Sequence, residues 1–279
     1  MNYLSKFLSA FLIAALLVIP THHAFAADVL VNPYAFVTAG STAGADGTEF
    51  DGSTEYISHA SNTGWSNSKL VTGSFWIKRG RTGVTERIIN LQLNAGLAFG
   101  VQFNTSNQMI FQGRSVITGG VNDAIVATMT TTITDTNWHH VLFSFDMAST
   151  SNRHIYLDDS AASVTWSTYD NETIVFATDG ANAINQYAYA ARLNQADVKF
   201  QGTLSEIWFN PTTYIDFSVE ANRRKFITSG GIPEEVGTDG STPTGTAPID
   251  YLPDGQTQAG TGAAYAVTGT PTAVDGPNP

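Results

Sequence analysis

A polar turn joins two alternating segments between Asp135 and Asp159, and this hairpin constrains the fold more than any other stretch. Along the first segment, the strand period of two predicts one face formed by Val141, Phe143 and Phe145. The same period predicts an opposite face formed by Trp138, His140 and Leu142. The second segment, His154–Leu157, ends in the turn-prone residues Asp158 and Asp159. The pattern predicts two antiparallel strands with one face in a core.

Short β-branched or aromatic runs recur between clusters of turn residues along most of the chain. The predicted strands are Phe75–Lys78, Ile88–Leu93, Leu97–Phe103, Met109–Phe111, Val126–Thr134 and Thr173–Ala177. Charged residues form only 13% of the chain, which suits many short strands with turn residues between them. The sequence therefore predicts an all-β, two-sheet antiparallel sandwich.

Charge and cysteine content exclude several kinds of site. The chain has 13 basic and 24 acidic residues, and its net charge is −11. This balance argues against nucleic-acid binding, which depends on clustered Lys and Arg. The chain has no Cys, so disulfides and thiolate metal sites are excluded. Stability is expected to come from burial between two sheets.

The first 26 residues resemble an export signal. One cation, Lys6, precedes the apolar run Phe7–Pro20, and Ala24-Phe25-Ala26 fits a small-x-small cleavage site. We expect residues 1–26 to be a signal peptide and the mature chain to begin near Ala27. An uncleaved N-terminal anchor is the alternative. No later segment approaches about 20 apolar residues, so no membrane span is expected after cleavage, and the expected location is secreted or periplasmic.

One short helix is predicted at Phe217–Thr228. Ser218 can cap its N-terminus, and three side chains are expected to dock on the sandwich: Val219, Phe226 and Ile227. Beyond Val236 the chain becomes rich in Gly, Thr and Pro. Even so, Pro248–Leu252 and Ala264–Val267 are apolar enough to form strands, which we expect to return to the sheet and which could pair with Tyr34–Val37. The predicted domain spans residues 27–267, and residues 268–279 are expected to form a flexible tail.

The hairpin resembles the signature of laminin G-like domains in the concanavalin A-like lectin/glucanase superfamily, which are jelly rolls of two antiparallel sheets. Phe50–Ile57 resembles the opening segment of that family, and Ser74–Lys78 resembles its second strand. Phe200–Phe209 resembles its closing strand, with Gly202 at the family's glycine position. The resemblance covers residues 45–230 and implies a jelly roll with one short C-terminal helix.

A second resemblance concerns the segment after the predicted helix. Asp239–Gly245 is similar to segments of tailed-phage virion proteins and of uncharacterised marine bacterial proteins. This likeness suggests a virion-associated protein as the alternative location. Phage structural proteins usually lack a cleavable export signal, so residues 1–26 argue against it.

The sequence lacks the patterns expected of polysaccharide-cleaving jelly rolls. Glycoside cleavage needs two carboxyl groups flanking the scissile bond, commonly from one cleft strand, and no Glu-x-Asp-x-x-Glu arrangement occurs. Glu206, with Leu204 and Trp208 expected on its own face, is interpreted as a structural carboxylate. The strand motifs of jelly-roll polysaccharide lyases are also missing. We therefore expect no enzymatic activity and no required cofactor.

The sequence suggests two kinds of metal site. His139 and His140 are adjacent in a strand and point to opposite faces, so they cannot chelate one ion together, although His154 could approach either across the hairpin. Some laminin G-like relatives bind calcium at loop ends. That resemblance suggests calcium ligands at Asp46, Asp51, Asp158 and Asp159. Aspartate in such turns also serves turn geometry alone, which is the alternative.

Carbohydrate binding needs an exposed aromatic plane with amides and carboxylates around it. Trp76, Trp138 and Trp208 lie in strand motifs and are expected in the core. The other two tryptophans lie among polar residues and give the predicted ligand contacts: Trp65, Asn67, Trp166, Tyr169, Asp170 and Asn171. The alternative is that both Trp rings cover a sheet end.

These features together predict a non-catalytic secreted binding module. Its expected partner is a carbohydrate or another extracellular or cell-surface molecule, recognised through loops at the sheet ends. The main alternative is a structural or assembly protein, such as a phage fibre component, that packs against copies of itself. A polysaccharide-active hydrolase or lyase is the third class.

Overall fold

The fold is a sandwich of two eight-stranded antiparallel sheets. The computed structural model describes residues 46–61, 63–93, 96–117, 120–177, 184–192 and 198–277. Within these ranges the chain forms sixteen strands, numbered here along the sequence, and one short helix. The all-β, two-sheet prediction is confirmed.

Sheet A contains the predicted hairpin. Its strands are β1 (Asp46–Asp51), β3 (Leu70–Arg79), β8 (Trp138–Asp146), β9 (Arg153–Leu157), β10 (Ser160–Ala161), β13 (Gln201–Asn210), β14 (Asp250–Leu252) and β16 (Thr272–Asp275). Their order is β10-β9-β8-β3-β13-β1-β16, and β14 pairs with β13. Strands β8 and β9 pair with Phe143 opposite Ile155.

Sheet B contains the remaining strands. These are β2 (Tyr56–His59), β4 (Glu86–Leu93), β5 (Gly96–Phe103), β6 (Gln108–Ile117), β7 (Gly120–Thr132), β11 (Val164–Tyr169), β12 (Ile184–Tyr189) and β15 (Ala266–Thr268). Their order is β11-β7-β6-β5-β4-β12-β2-β15. Four of the six strands predicted from the sequence lie in these elements, and a fifth, Phe75–Lys78, lies in β3 of sheet A. The segment Thr173–Ala177 does not form a strand and makes only isolated bridges, through Ile174 to Ser68 and Ser115.

The main core lies between the two sheets, and aromatic side chains dominate it. Phe143 of sheet A packs against Phe111 of sheet B with ring centroids 5.1 Å apart. The predicted inward residues of the hairpin, Val141, Phe143 and Phe145, are fully buried there. Burial of a side chain of this size contributes about 1.5–3 kcal/mol, so the hairpin supplies a large part of the core.

A second core covers part of the outer face of sheet A. Its strand residues are Trp76, Leu142, Trp208 and Tyr251, and the chain after β13 supplies Ile215, Phe217, Phe226, Ile227 and Val236. The indole N–H of Trp208 donates to the carbonyl of Gly240 at 2.8 Å, which fixes the covering segment. The second face of the hairpin is therefore largely buried rather than exposed.

A β-bulge at Glu206 changes the alternation of β13. The pairing of β13 with β3 shifts between Ser205 and Trp208, and Glu206 has φ +48°. As a result Leu204 lies in the main core and Trp208 in the second core. The expectation that both share one face with Glu206 was wrong, because the bulge inserts one residue into the strand.

The predicted helix is much shorter in the structure. Helix α1 spans Glu220–Arg223, and no side-chain cap bonds its N-terminus. Phe226 and Ile227 dock on sheet A as expected, whereas Val219 is 46% exposed, so its predicted docking was wrong. The following turns, with Gly231 at φ +77°, bring the chain back across the sheet.

The C-terminal segments return to both sheets. Strand β14 pairs with β13 through Tyr251 opposite Trp208, and β15 pairs with β2. Residues predicted as a tail contain β16, which pairs with β1 and closes the edge of sheet A. The predicted partner Tyr34–Val37 and the predicted signal, residues 1–26, lie outside the described residues. Among described residues, no helix is long and apolar enough to cross a membrane.

Candidate functional site

The side chains of Trp65 and Asn67 have structural roles. Trp65 is 6% exposed, and its ring lies 4.6 Å from that of Tyr187 and 5.7 Å from that of Phe209. The Oδ1 of Asn67 accepts hydrogen bonds from the backbone N–H groups of Phe176 and Ala177 at 2.9 and 2.8 Å. The expectation that Trp65 presents an exposed plane was wrong, because the ring fills the space between the sheets.

Trp166 and Tyr169 lie together at an open edge of the sandwich. Their rings meet edge to face at 5.5 Å, and Trp166 also packs edge to face on Phe145 at 5.9 Å. The guanidinium of Arg153 lies 4.6 Å from the centre of the Trp166 ring. A cleft of about 300 Å³ opens here between β9, β10 and β11, lined by Arg153, His154, Tyr156 and Trp166.

The other residues predicted as ligand contacts near this edge form hydrogen bonds with other parts of the protein. The Tyr169 hydroxyl donates to the carbonyl of Asp146 at 2.9 Å, and burial raises the pKa of this phenol. The backbone N–H of Asp170 donates to the carbonyl of Ala124 at 2.8 Å. Lys69 donates to the Oδ1 of Asn171 at 2.8 Å. We define the edge cleft by Arg153 and Trp166, the side chains that border open space.

The four predicted calcium ligands do not share one set of contacts. Asp51 accepts hydrogen bonds from Ser53 and Thr54, which hold its pKa well below the usual range although burial opposes them. Asp46 is an exposed residue of β1, where its Cα partner is Asp275. Among described residues, no group of three His, Cys, Asp or Glu side chains could hold a metal ion.

Asp158 and Asp159 form the tight turn after β9, with φ +49° and +61°. Asp158 accepts a hydrogen bond from the backbone N–H of His140 at 2.8 Å. Asp159 accepts hydrogen bonds from Arg223 and Arg224 at 2.6 and 2.5 Å, which lower its pKa against the effect of burial. Both carboxylates therefore serve this turn and its contact with α1.

The three hairpin histidines lie in separate environments. His140 is buried, bonds the hydroxyl of Ser74 at 2.9 Å and stacks on Trp76. His139 lies between Asp135 and Asp158, at 3.0 and 2.8 Å. His154 lies opposite Ser144 and bonds the Tyr214 hydroxyl at 2.9 Å, so its possible metal role beside His139 or His140 gains no support.

Trp138 borders a second cleft, which the sequence did not indicate. Register alignment places one residue from each of five strands in a row across sheet A: Thr272, Glu49, Thr203, Lys78 and Trp138. They lie on the outer face, because their neighbours Phe50, Ile77 and Leu204 point into the main core. The cleft has a volume of about 400 Å³.

The second core ends at Trp138, and the cleft begins there. The half-buried indole packs on the second core with one part and lines the cleft with another. The far edge of the Trp138 ring lies near both Gly47 and Thr203. A Cβ built on Gly47 would be 3.2 Å from Cη2 of Trp138 and 2.9 Å from Cγ2 of Thr203. The expectation that Trp138 is a core residue was therefore only half right. We call this the Trp138 cleft, lined by Glu49, Lys78, Thr136, Trp138, Thr203 and Asp275.

Both signs of charge surround the Trp138 cleft. Lys78, Glu49 and Asp275 are exposed, and Thr136 is presented by the turn in which Asn137 N–H donates to the Asp135 side chain at 2.8 Å. Ammonium, carboxylate and hydroxyl groups offer donors and acceptors beside an aromatic ring. Such a set suits a polyhydroxylated ligand with an apolar C–H face.

Two carboxyl groups with raised pKa values lie elsewhere. Burial raises the pKa of Glu206 to about 7, and the Tyr251 hydroxyl donates to it at 2.9 Å. Burial raises the pKa of Asp250 to about 6, although Tyr265 and Tyr189 donate to its Oδ2 at 2.7 and 2.8 Å. Asp250 ties β14 to sheet B through these tyrosines, so its role is structural.

Several solved structures are similar to part of this chain. A heptameric SAP-like pentraxin from Limulus polyphemus matches with 11% identity and TM-score 0.42, covering 62% of this chain and 79% of that one. A candidate carbohydrate binding protein from Bacteroides ovatus matches with 11% identity and TM-score 0.42 over 62% and 45%. Domains LG4-5 of the mouse laminin alpha1 chain match with 10% identity and TM-score 0.41 over 62% and 43%.

The family comparison covers the strands of the edge cleft and part of the Trp138 cleft, whose residues Glu49 and Asp275 lie outside the matched range. A search of curated proteins finds no match. The laminin G model of the concanavalin A-like lectin/glucanases superfamily matches residues 51–213, which is more than half of the chain. This range runs from the end of β1 through β13 and contains the hairpin that the sequence singled out. The chain is thus a laminin G-like member of the concanavalin A-like lectin/glucanases superfamily.

Proposed function

We propose that this protein is a secreted, non-catalytic module that binds carbohydrate in the Trp138 cleft. The observation that carries the proposal is a cleft of about 400 Å³ with an indole wall and exposed Lys78, Glu49 and Asp275 around it. The superfamily includes lectins and glucanases, so membership favours a saccharide ligand. Trp138, Lys78 and Glu49 are the proposed contacts.

The chemistry of the cleft supports this ligand class. An indole packs on the C–H face of a sugar ring, while charged groups and hydroxyls bind the sugar's hydroxyl groups. The row through Lys78, Thr203 and Glu49 crosses adjacent strands of the sheet, so the sheet fixes the backbone positions from which these groups extend.

The edge cleft at Trp166 is the competing site for the same function. Its Trp ring is covered on one side by the Arg153 guanidinium, which leaves less aromatic surface for a sugar. A matched pair of variants separates the two sites. Trp138→Ala removes the indole of one cleft, and Trp166→Ala makes the same change at the other.

The experiment uses the mature chain on a glycan array, followed by calorimetry with the best ligand. We expect wild type and Trp166→Ala to bind alike, and Trp138→Ala to bind at least about tenfold more weakly, which equals about 1.4 kcal/mol. Thermal unfolding of each variant checks the fold. Loss of binding in Trp166→Ala alone would move the site to the edge cleft. The absence of any glycan signal from folded wild type would refute the proposal.

Calcium and export are tested in the same preparation. The array is run with calcium and with a chelator, and the Asp51→Asn variant reports whether that carboxylate contributes. Equal binding under both conditions would exclude a calcium requirement for this ligand. N-terminal sequencing of the exported protein tests secretion, for which we expect a start near Ala27.

Self-assembly is the alternative binding function. The large hydrophobic side chains exposed in the described residues are Val84, Val219 and Val267. They come from the β3–β4 turn, the segment before α1 and the edge strand β15. Light scattering that shows a stable multimer, combined with no glycan signal, would favour assembly over carbohydrate binding.

Hydrolysis is a second candidate because Glu206 has the raised pKa that a general acid needs. Cleavage of a glycosidic bond also needs a second carboxyl group across that bond. Asp254 and Glu235 raise the pKa of Glu206 further and are the groups that could fill this role. Release of reducing sugar by wild type but not by Glu206→Gln would establish this function.

A further inference from the structure

Gly47 lies within strand β1, although its backbone does not require a glycine. Its φ lies outside the left-handed region, and it pairs with Val274 of β16 in a ladder without bulges. Glycine weakens a strand, because it loses more conformational freedom on folding and has no side chain to pack. A glycine in such a place often marks the close approach of another group. Gly47 is buried, so a neighbouring group covers it.

The indole of Trp138 and the side chain of Thr203 are the groups that cover Gly47. A Cβ built on Gly47 would lie 3.2 and 3.4 Å from Cη2 and Cζ2 of Trp138, and 2.9 Å from Cγ2 of Thr203. Distances this short leave no room for a methyl group unless a neighbouring side chain moves. The far edge of the indole therefore fills the space that a side chain at Gly47 would need.

The contact between Trp138 and Gly47 spans four strands of sheet A. Trp138 lies on β8 and Gly47 on β1, and β3 and β13 run between them. Three strand spacings amount to about 14 Å in a flat sheet, which is farther than a tryptophan side chain reaches. The outer face is therefore concave along this line, and the indole crosses it beside Thr203.

The crossing indole forms one wall of the Trp138 cleft. It packs on the second core with one part and lines the cleft with another. Val274, the Cα partner of Gly47, also lines the cleft, so the far edge of the ring meets β1 and β16 inside the site. The distance that the indole reaches toward Gly47 therefore sets the position of this wall.

We propose that Gly47 is a positioning residue of the Trp138 cleft, because its missing side chain lets the indole reach β1 and present its ring to the ligand. A larger residue at this position would displace the ring along the concave face. Aromatic packing on a sugar depends on the place and tilt of the ring, so a small displacement weakens binding. The effect on ligand affinity rests on the proposed function, whereas the effect on the ring is measured without ligand.

The first test follows the Trp138 indole N–H signal by NMR in the ligand-free mature chain. Gly47→Ala should move this signal. Gly113→Ala is the matched control, because a Cβ there would also meet its nearest neighbours at 2.9 and 3.2 Å, but in β6 of sheet B. The control should leave the Trp138 signal in place. An unmoved signal in Gly47→Ala, or an equal movement in Gly113→Ala, would overturn the inference.

The second test is a double-mutant cycle on the affinity for the best ligand from the glycan array. Gly47→Ala should weaken binding at least about fivefold, which equals about 1 kcal/mol. Trp138→Phe keeps an aromatic plane but lacks the part of the indole that meets Gly47. In that background Gly47→Ala should change the affinity less than about twofold. The same loss in both backgrounds would contradict a role through the indole.

A further variant keeps both tests decisive where crowding at Gly47 impairs folding. Thr203→Ser removes the methyl group at 2.9 Å and leaves the contact with the ring. Gly47→Ala is then compared in the Thr203→Ser background, where it should still move the Trp138 signal and weaken binding. A signal that stays in place there would overturn the inference. A folded wild type that binds no glycan would refute the proposed function alone, because the NMR test decides the position of the ring.

Discussion

Replacing His139 by Gln should weaken folding in acid and leave it unchanged in base. The hydrogen bond to Asp158 raises the pKa of His139 to about 8, with help from Asp135 and against burial. An increase from 6.5 to about 8 corresponds to about 2 kcal/mol of stability. Because both carboxylates are about half exposed, at 53% and 48%, solvent screening reduces the expected effect to about 1 kcal/mol.

The sign of the pH dependence follows from the raised pKa. Histidine binds its proton more tightly in the folded state, so the stabilisation is complete below pH 6.5 and is lost as pH rises through about 8. Urea unfolding of wild type and His139→Gln at about pH 5.5 and about pH 9.5 measures this difference. The variant should be less stable by about 1 kcal/mol at the lower pH and equal at the higher one.

His154 provides a control in the same hairpin, because its pKa is shifted in the opposite direction. Burial lowers the pKa of His154, although Asp216 opposes the shift. The unfolded chain then binds the proton more tightly, so His154 costs stability as pH falls below 6.5. His154→Gln should therefore lose less stability, relative to wild type, at the lower pH than at the higher one. A His139→Gln deficit that is the same at both pH values would refute the reasoning.

Two further substitutions test the packing where β3 and β13 of sheet A contact β4 of sheet B. A Cβ at Gly202 would lie 2.2 Å from the carbonyl oxygen of Lys78, and φ there is +141°, so Gly202→Ala should cost more than about 3 kcal/mol in urea unfolding. The control Gly83→Ala, at φ +76° with open space around it, should lower the free energy of unfolding by about 1–2 kcal/mol. Equal losses in the two glycine variants would contradict the steric argument. Glu86 is fully buried and accepts a hydrogen bond from Arg79 at 3.0 Å, so Glu86→Gln should lower the free energy of unfolding by about 3–5 kcal/mol, and a loss below about 1 kcal/mol would contradict a buried ion pair.

Local alternation predicted most of the sandwich because one buried face imposes a period of two. The hairpin set Val141, Phe143 and Phe145 and the run Leu97–Phe103 lie where the sequence placed them. The prediction of side-chain faces failed at Glu206 in β13, where one extra residue shifts the alternation of the strand. A bulge of this kind depends on tertiary pairing and leaves little trace in the local pattern.

The candidate sites were harder to predict, because each depends on strands far apart in sequence. Polar neighbours suggested that Trp65 is exposed, yet the ring lies between Tyr187 and Phe209. The strand motif suggested a core role for Trp138, but the covering segment ends at this residue and leaves the cleft open. Cross-strand register, which joins Glu49 to Lys78 through Thr203, was the missing information.

The most direct test of the central claim is an NMR titration of the indole N–H signals with the best ligand from the glycan array. The chain has five tryptophans, so each indole can be assigned by single substitution. The account predicts that the Trp138 signal moves with saturation, while the signals of buried Trp65 and Trp208 stay in place. A shift confined to Trp166, or no indole shift at a saturating ligand concentration, would contradict carbohydrate binding in the Trp138 cleft.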